Sequence, residues 1–138
     1  MSNMDKLKEY QQMGVNADLL EADPHRVIQL LMEGALSRIS LAKSHITEKN
    51  FAEKGNCIGK AIDIINCLKS SLDHERGGDI STNLDRLYDY MMRRLYDASK
   101  KNNHEMLNEV SKLLANIKSA WDEIPQEVRE QHAQLQRL

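Results

Sequence analysis

The sequence predicts an all-α protein, an antiparallel up-down-up-down four-helix bundle with a mobile N-terminal arm and a polar C-terminal tail. Three observations carry that expectation. Apolar residues recur at spacings of three and four along four long stretches, and no stretch alternates with the period of a strand. Helix starts and stops punctuate those stretches at Asp23-Pro24, Asn50, the Gly77-Gly78 pair, Asn102-Asn103 and Pro125. The connections between them are short, which favours antiparallel neighbours. The chain divides into an arm (1–22), the bundle (23–124) and a tail (125–138).

The arm is polar and weakly patterned. Met4, Leu7 and Tyr10 can line one side of a short helix that Gly14 interrupts. Asp23 is an N-cap and Pro24 fits the first helical position, so helix 1 is expected from there to about Thr47. Val27, Ile28, Leu31, Ala35, Ile39, Ala42 and Ile46 form its main apolar face. Asn50, with Glu53 three residues on, resembles a capping box opening helix 2. Ile58, Ala61, Ile62, Ile65, Leu68 and Leu72 make its core stripe.

Residues 72–95 organise the whole chain. The spacing ends helix 2 at the glycine pair, where a positive φ is tolerated. Asp79 or Ser81 then caps helix 3, expected over residues 80–101. Its face is Leu84, Leu87, Tyr88, Met91 and Leu95. Asn102 or Asn103 caps helix 4, whose face is Leu107, Val110, Leu114, Ile117 and Trp121 and which Pro125 stops. Gly55 and Gly59 in helix 2 are read as sites of close helix approach.

Composition narrows the function. A chain of 138 residues is long enough for one domain with a sizeable core, and 41% hydrophobic with 29% charged residues is ordinary for a soluble protein. The formal net charge is −2, with one Trp, one Phe and four Tyr, so neither a basic stripe nor a series of stacking rings points to nucleic acid. Cys57 and Cys67 lie ten residues apart on one expected helix, about 15 Å, too far for a mutual disulfide. Two free thiols suit a reducing compartment. No apolar run approaches the ~20 residues of a membrane span, and the first residues lack the apolar core of a signal peptide. A cytoplasmic protein without membrane insertion is expected.

Chemistry is hard to find. Lys54–Ala61 reads KGNCIGKA, but it is one residue short of a phosphate-binding loop, ends in Ala61 where Ser or Thr is needed, and follows no strand. The five His residues include no pair four apart and no Glu-x-x-His. Asp73, His74, Glu75 and Asp79 fit a capped, solvated helix end. Neither Cys has a neighbour that would activate it. No catalytic residue, metal ligand or cofactor site is expected, and the protein is read as a non-enzyme.

What remains is apolar surface beyond the four core stripes. Leu30, Leu36, Leu41, Ile64, Met92, Tyr96, Met106 and Leu113 fall outside them on helical wheels. Their number, and the share of Met, point to a groove that receives another chain's apolar helices.

The motifs resemble those of the flagellar export chaperone family FliS, over residues 10–124. They are Tyr10, Ala22-Asp23-Pro24-His25, Leu31-Met32-Glu33-Gly34-Ala35 and Lys60-Ala61-Ile62-Asp63-Ile64-Ile65. Next comes the most specific, Leu72-Asp73-His74-Glu75-Arg76-Gly77-Gly78-Asp79-Ile80, running into Asn83-Leu84 and Leu87-Tyr88-Asp89-Tyr90-Met91, with Trp121 near the end. Glu33 stands where Asp is common in the family, a swap that keeps the charge. The resemblance implies a helical bundle that binds the disordered C-terminal segment of flagellin in the cytoplasm. It implies that this prevents premature polymerisation and keeps the subunit competent for type III export. Flagellin is then the expected partner, with export-gate components as further candidates. The expected flagellin-binding residues are Leu30, Leu41, Ile64, Met92, Tyr96, Met106 and Leu113. The resemblance also implies an arm that covers part of the groove, with Leu7 and Tyr10 as its contacts. The competing readings are a regulatory adaptor that sequesters a different amphipathic helix, such as an anti-sigma factor, a metal-binding bundle enzyme, and a homodimer burying its own surplus face.

Overall fold

The structure, a computed structural model, describes residues 23–125 together with 127 and 128. The arm, with Leu7 and Tyr10, and most of the tail lie outside the described residues. Four helices run in order: α1 Pro24–Thr47, α2 Phe51–Ser70, α3 His74–Lys101 and α4 His104–Asp122. α1 and α3 each pack against both α2 and α4, and no diagonal pair approaches closely. Short turns join consecutive helices, so neighbours run antiparallel and form the expected up-down-up-down bundle.

Most helix ends are where local chemistry puts them. The Asp23 carboxylate accepts the Arg26 N–H at 3.0 Å, and Pro24 opens the first turn without needing its missing donor. Asn103 accepts the Met106 N–H at 3.0 Å and caps α4. Asn102 takes the left-handed conformation (φ 50°) that closes α3, one a short polar side chain tolerates.

Three local expectations are corrected. Asn50 precedes α2, but its side chain makes no capping hydrogen bond, so the capping box does not form. α2 ends at Ser70, well before the glycine pair, and Asp73, not Asp79 or Ser81, caps α3 by accepting the Arg76 N–H at 3.1 Å. The pair instead interrupts α3 one turn after it begins. Gly78 has φ 49° and ψ −124°, a conformation open essentially to glycine alone. A Cβ on Gly77 would overlap the Ser81 hydroxyl, which is buried and donates to the Asp73 carbonyl at 2.9 Å. The break thus folds a single capped turn back onto the main helix. Third, Gly55 and Gly59 are exposed and have nothing within 4 Å of where a Cβ would stand, so they are not sites of close helix approach.

The core contains the predicted stripes. Leu31 and Ile39 of α1, Ile58 and Ile65 of α2, Met91 and Leu95 of α3, and Leu107 and Leu114 of α4 are all essentially inaccessible. Burying each such side chain contributes roughly 1.5–3 kcal/mol against exposure. The intimate glycine is Gly34, whose Cβ position lies 3.5 Å from Ile64 Cδ1 of α2. That approach is why Ile64, expected on the outer surface, is fully buried instead.

The α1–α4 seam closes with a reciprocal contact between the first turn of α1 and the last turn of α4. The rings of His25 and Trp121 stack at 5.0 Å, only 8° from parallel. Trp121 Nε1 donates to the His25 carbonyl at 3.0 Å. His25 Nε2 lies 2.6 Å from the Trp121 carbonyl, which can only accept, so that nitrogen carries the proton. Beside them Gln29 and Lys118 both donate to Asp122 at 2.7 Å. The Lys118 ammonium holds the Asp122 carboxyl below its usual range, offsetting an acid at a helix C-terminus.

Candidate functional site

The outer edges of the seams between helices are where the surplus apolar residues lie, and contacts between the helices show which seam each flanks. On α3, Asp85 and Asp89 face α2, because Lys69 reaches them at 3.9 and 2.9 Å. Met92 and Tyr96 continue that stripe at helical spacing and so edge the α2–α3 seam. Met92 is half-buried, and Tyr96 is 57% exposed. Phe51, the first residue of α2 and 47% exposed, belongs to the same edge. Its ring lies 5.6 Å from the Lys54 ammonium, which donates to the Ser99 carbonyl of α3 at 2.8 Å. Lys54 is itself buried. It satisfies an orphan carbonyl at the negative end of α3 and pins α2 to that end.

On α1, Gly34 faces Ile64 of α2, and Leu30, Ser37 and Leu41 share its stripe. Leu30 and Leu41 therefore flank the α1–α2 seam, with Leu41 46% exposed. On α4, Glu109 faces α3, accepting from Arg94 Nε at 2.7 Å and from the Tyr90 hydroxyl at 3.0 and 3.1 Å. Met106 and Leu113 lie a turn to either side of Glu109 and flank the α3–α4 seam, both half-buried. The Arg94 hydrogen bond holds the Glu109 carboxyl below its usual range, and the same bond raises Arg94.

The expected binding residues thus do not converge on one groove. They divide over three seams: Leu30 with Leu41, Met92 with Tyr96, and Met106 with Leu113. Ile64 leaves the set, because it is a core residue of the monomer. Leu36 is half-buried and packs against the core, and Met92, Met106 and Leu113 likewise pack against it from the seam edges. Sequence reasoning missed Phe51 and Ile80, the latter 71% exposed. Phe51 carried a usable signal: it precedes Gly55 by four and Ile62 by eleven residues, one continuous helical edge. Ile80 stands four residues before Leu84, the first residue of the expected α3 face, and is exposed just past the Gly78 break.

Among the described residues no group of three or more His, Cys, Asp or Glu is placed to hold a metal ion. Among them also, no helix is long and apolar enough to cross a membrane. Cys57 is buried and Cys67 half-buried, neither in a disulfide.

An antiparallel helical bundle with apolar side chains along three outer seams defines the class, an all-α helical scaffold. Within that class the chain belongs to the FliS family: the family model described as "Flagellar protein FliS" matches residues 6–128. It is 48% identical over 124 residues to flagellar secretion chaperone FliSB of Pseudomonas aeruginosa, covering 90% of this chain and 98% of that protein. It is 44% identical over 121 residues to flagellar secretion chaperone FliS of Vibrio cholerae, covering 88% of this chain and 89% of the relative. To the protein of the same name from Salmonella typhimurium it is 43% identical over 119 residues, covering 86% and 88%. The motifs that carry the resemblance fall at working positions of this fold. His25 meets Trp121 across α1–α4, Gly34 meets Ile64 across α1–α2, and the glycine pair makes the break in α3.

Proposed function

We propose that this protein is a flagellar secretion chaperone that binds the disordered C-terminal segment of flagellin in the cytoplasm. It keeps that segment from polymerising and holds the subunit ready for type III export, with no catalytic step of its own. The observation that carries the reading is the half-exposed apolar edge of Phe51, Met92 and Tyr96 along α2–α3, in a member of a family whose relatives bear the chaperone's name. Leu30 with Leu41, and Met106 with Leu113, offer matching edges on the neighbouring seams. Three separated edges suit a long segment that wraps the bundle better than a single docked helix. Ordering a disordered chain costs several kcal/mol, so a large wrapped surface is needed.

The test is capture by flagellin with and without its last ~40 residues, the length of three or four average helices. Full-length flagellin is expected to bind and the truncated form to lose binding. Equal capture of both would overturn the reading. The arm is proposed to cover part of this surface through Leu7 and Tyr10 when no partner is bound. Deleting residues 1–13 is expected to tighten flagellin binding by removing a competitor; an unchanged dissociation constant would retire that role.

A further inference from the structure

One helix of the bundle carries a charge pattern that its own packing does not use. On the exposed side of α3, Arg86, Arg93 and Lys100 recur every seven residues, which places them in one row about 10.5 Å apart per step. All three side chains are exposed. Among the described residues none of them forms an ion pair. Asp85 and Asp89 turn to Lys69 of α2, while Asp97, four residues after Arg93 and three before Lys100, borders the row without an ion pair to it among the described residues. The row runs directly beside the apolar edge of the α2–α3 seam. Lys100 Nζ lies 4.8 Å from the centre of the Tyr96 ring. Arg86, Asp89, Met92 and Arg93 line a depression of about 500 Å³ on this face. Asp89 is paired with Lys69, which also reaches Asp85, so the depression is lined by Met92, two arginines and one paired carboxylate. A chain of net charge −2 thus keeps a row of three exposed cations outside any ion pair among the described residues, interleaved with Asp89 and Asp97, against its half-exposed apolar residues.

We infer that this face of α3 is a docking site for an amphipathic helix of the partner whose apolar stripe is flanked by acidic residues spaced seven apart. The inference rests on the proposed flagellin binding and adds the register of the helix in that seam. The partner's apolar stripe covers Met92, Tyr96 and Phe51, and its carboxylates meet Arg86, Arg93 and Lys100 in turn. Charges placed this way act on encounter rate and register more than on total affinity. A row of only three cations, interleaved with Asp89 and Asp97, is too sparse to track a phosphate backbone.

The test uses the full chain and a flagellin C-terminal segment of ~40 residues, titrated at about 50 and about 300 mM salt. The triple variant Arg86→Gln, Arg93→Gln, Lys100→Gln is expected to bind about tenfold more weakly at low salt and to lose most of the salt dependence. Because Lys100 also lies over Tyr96, the double variant Arg86→Glu, Arg93→Glu serves as a second probe and is expected to weaken binding further at low salt. Lys112→Gln, an exposed lysine on α4, is expected to stay within about twofold. Thermal unfolding of all variants should match the parent protein, since the side chains are exposed. Binding by both variants with the parent's affinity and salt slope would overturn the docking face and leave the chaperone reading intact. Failure of the parent protein to bind the segment would overturn both.

Discussion

Trp121→Ala is expected to lower the unfolding free energy by about 3 kcal/mol, and the melting temperature by roughly 10 °C. Trp121 is not fully buried, so the loss should fall at the low end of aromatic truncations. Its effect exceeds the lost area because three interactions go together: the stack on His25, the Nε1 bond to the His25 carbonyl, and the packing that sets the Trp121 carbonyl against His25 Nε2. These link the first turn of α1 to the last turn of α4, residues 96 apart in sequence. Trp121→Phe keeps most of the apolar contact but removes the side-chain donor that the His25 carbonyl accepts beside its own helix bond, a cost of about 1 kcal/mol. His25→Ala removes the stack and the Nε2 bond but not the backbone acceptor. A double-mutant cycle between His25→Ala and Trp121→Ala, followed by circular dichroism in urea, should therefore show a coupling of about 1 kcal/mol. Strict additivity would mean that the two rings merely lie side by side.

Alkaline pH is expected to destabilise the bundle through Tyr88. This phenol is only 3% exposed, and burial pushes its pKa from 10.0 up to about 12. The unfolded chain therefore loses its Tyr88 proton first. A folded-state pKa raised above the unfolded one means full stability below pH 10 and progressive loss as pH rises toward about 12. The complete loss from this one group is on the order of 2–3 kcal/mol. Urea midpoints measured from about pH 9 to about pH 12 should fall in the parent protein and fall distinctly less in Tyr88→Phe. Parallel curves for the two proteins would place the alkaline sensitivity elsewhere. The raised Lys69, held by its Asp89 hydrogen bond, shifts in the same direction but is solvent-accessible and contributes little.

The two effects also separate stability from function. Neither Trp121 nor Tyr88 edges the seams proposed to hold flagellin, so variants at both should alter unfolding while leaving the Phe51–Met92–Tyr96 edge in place. Conversely, the α3 cations Arg86, Arg93 and Lys100 are exposed and outside any ion pair among the described residues, so replacing them should alter binding and leave unfolding unchanged.

Much of this molecule was legible in the amino-acid order. Period-three-and-four spacing located four helices and nearly every core residue, because a helix must bury one stripe and the stripe's residues recur at fixed angles. Asp23-Pro24 and Asn103 announced their helix starts, since a side-chain oxygen before the first turn meets a donor that nothing else satisfies. The proposed binding edges were legible only in part. A helical wheel gives the angle of a side chain, not what abuts it at that angle. Ile64 looks peripheral on its own helix, yet Gly34 lets α1 approach closely enough to bury it. Lys54 stands outside the expected core stripe of α2 and is nonetheless buried, because the end of α3 presents it with the Ser99 carbonyl. The glycine pair reads as a helix end but is a break inside α3, because Asp73 and Ser81 close a single turn ahead of it. Sequence by itself determined which residues form helices and which face each helix hides. Only the tertiary structure decided which seam each leftover apolar residue borders, because that depends on the distance and rotation between helices, which residues far apart in the chain set together.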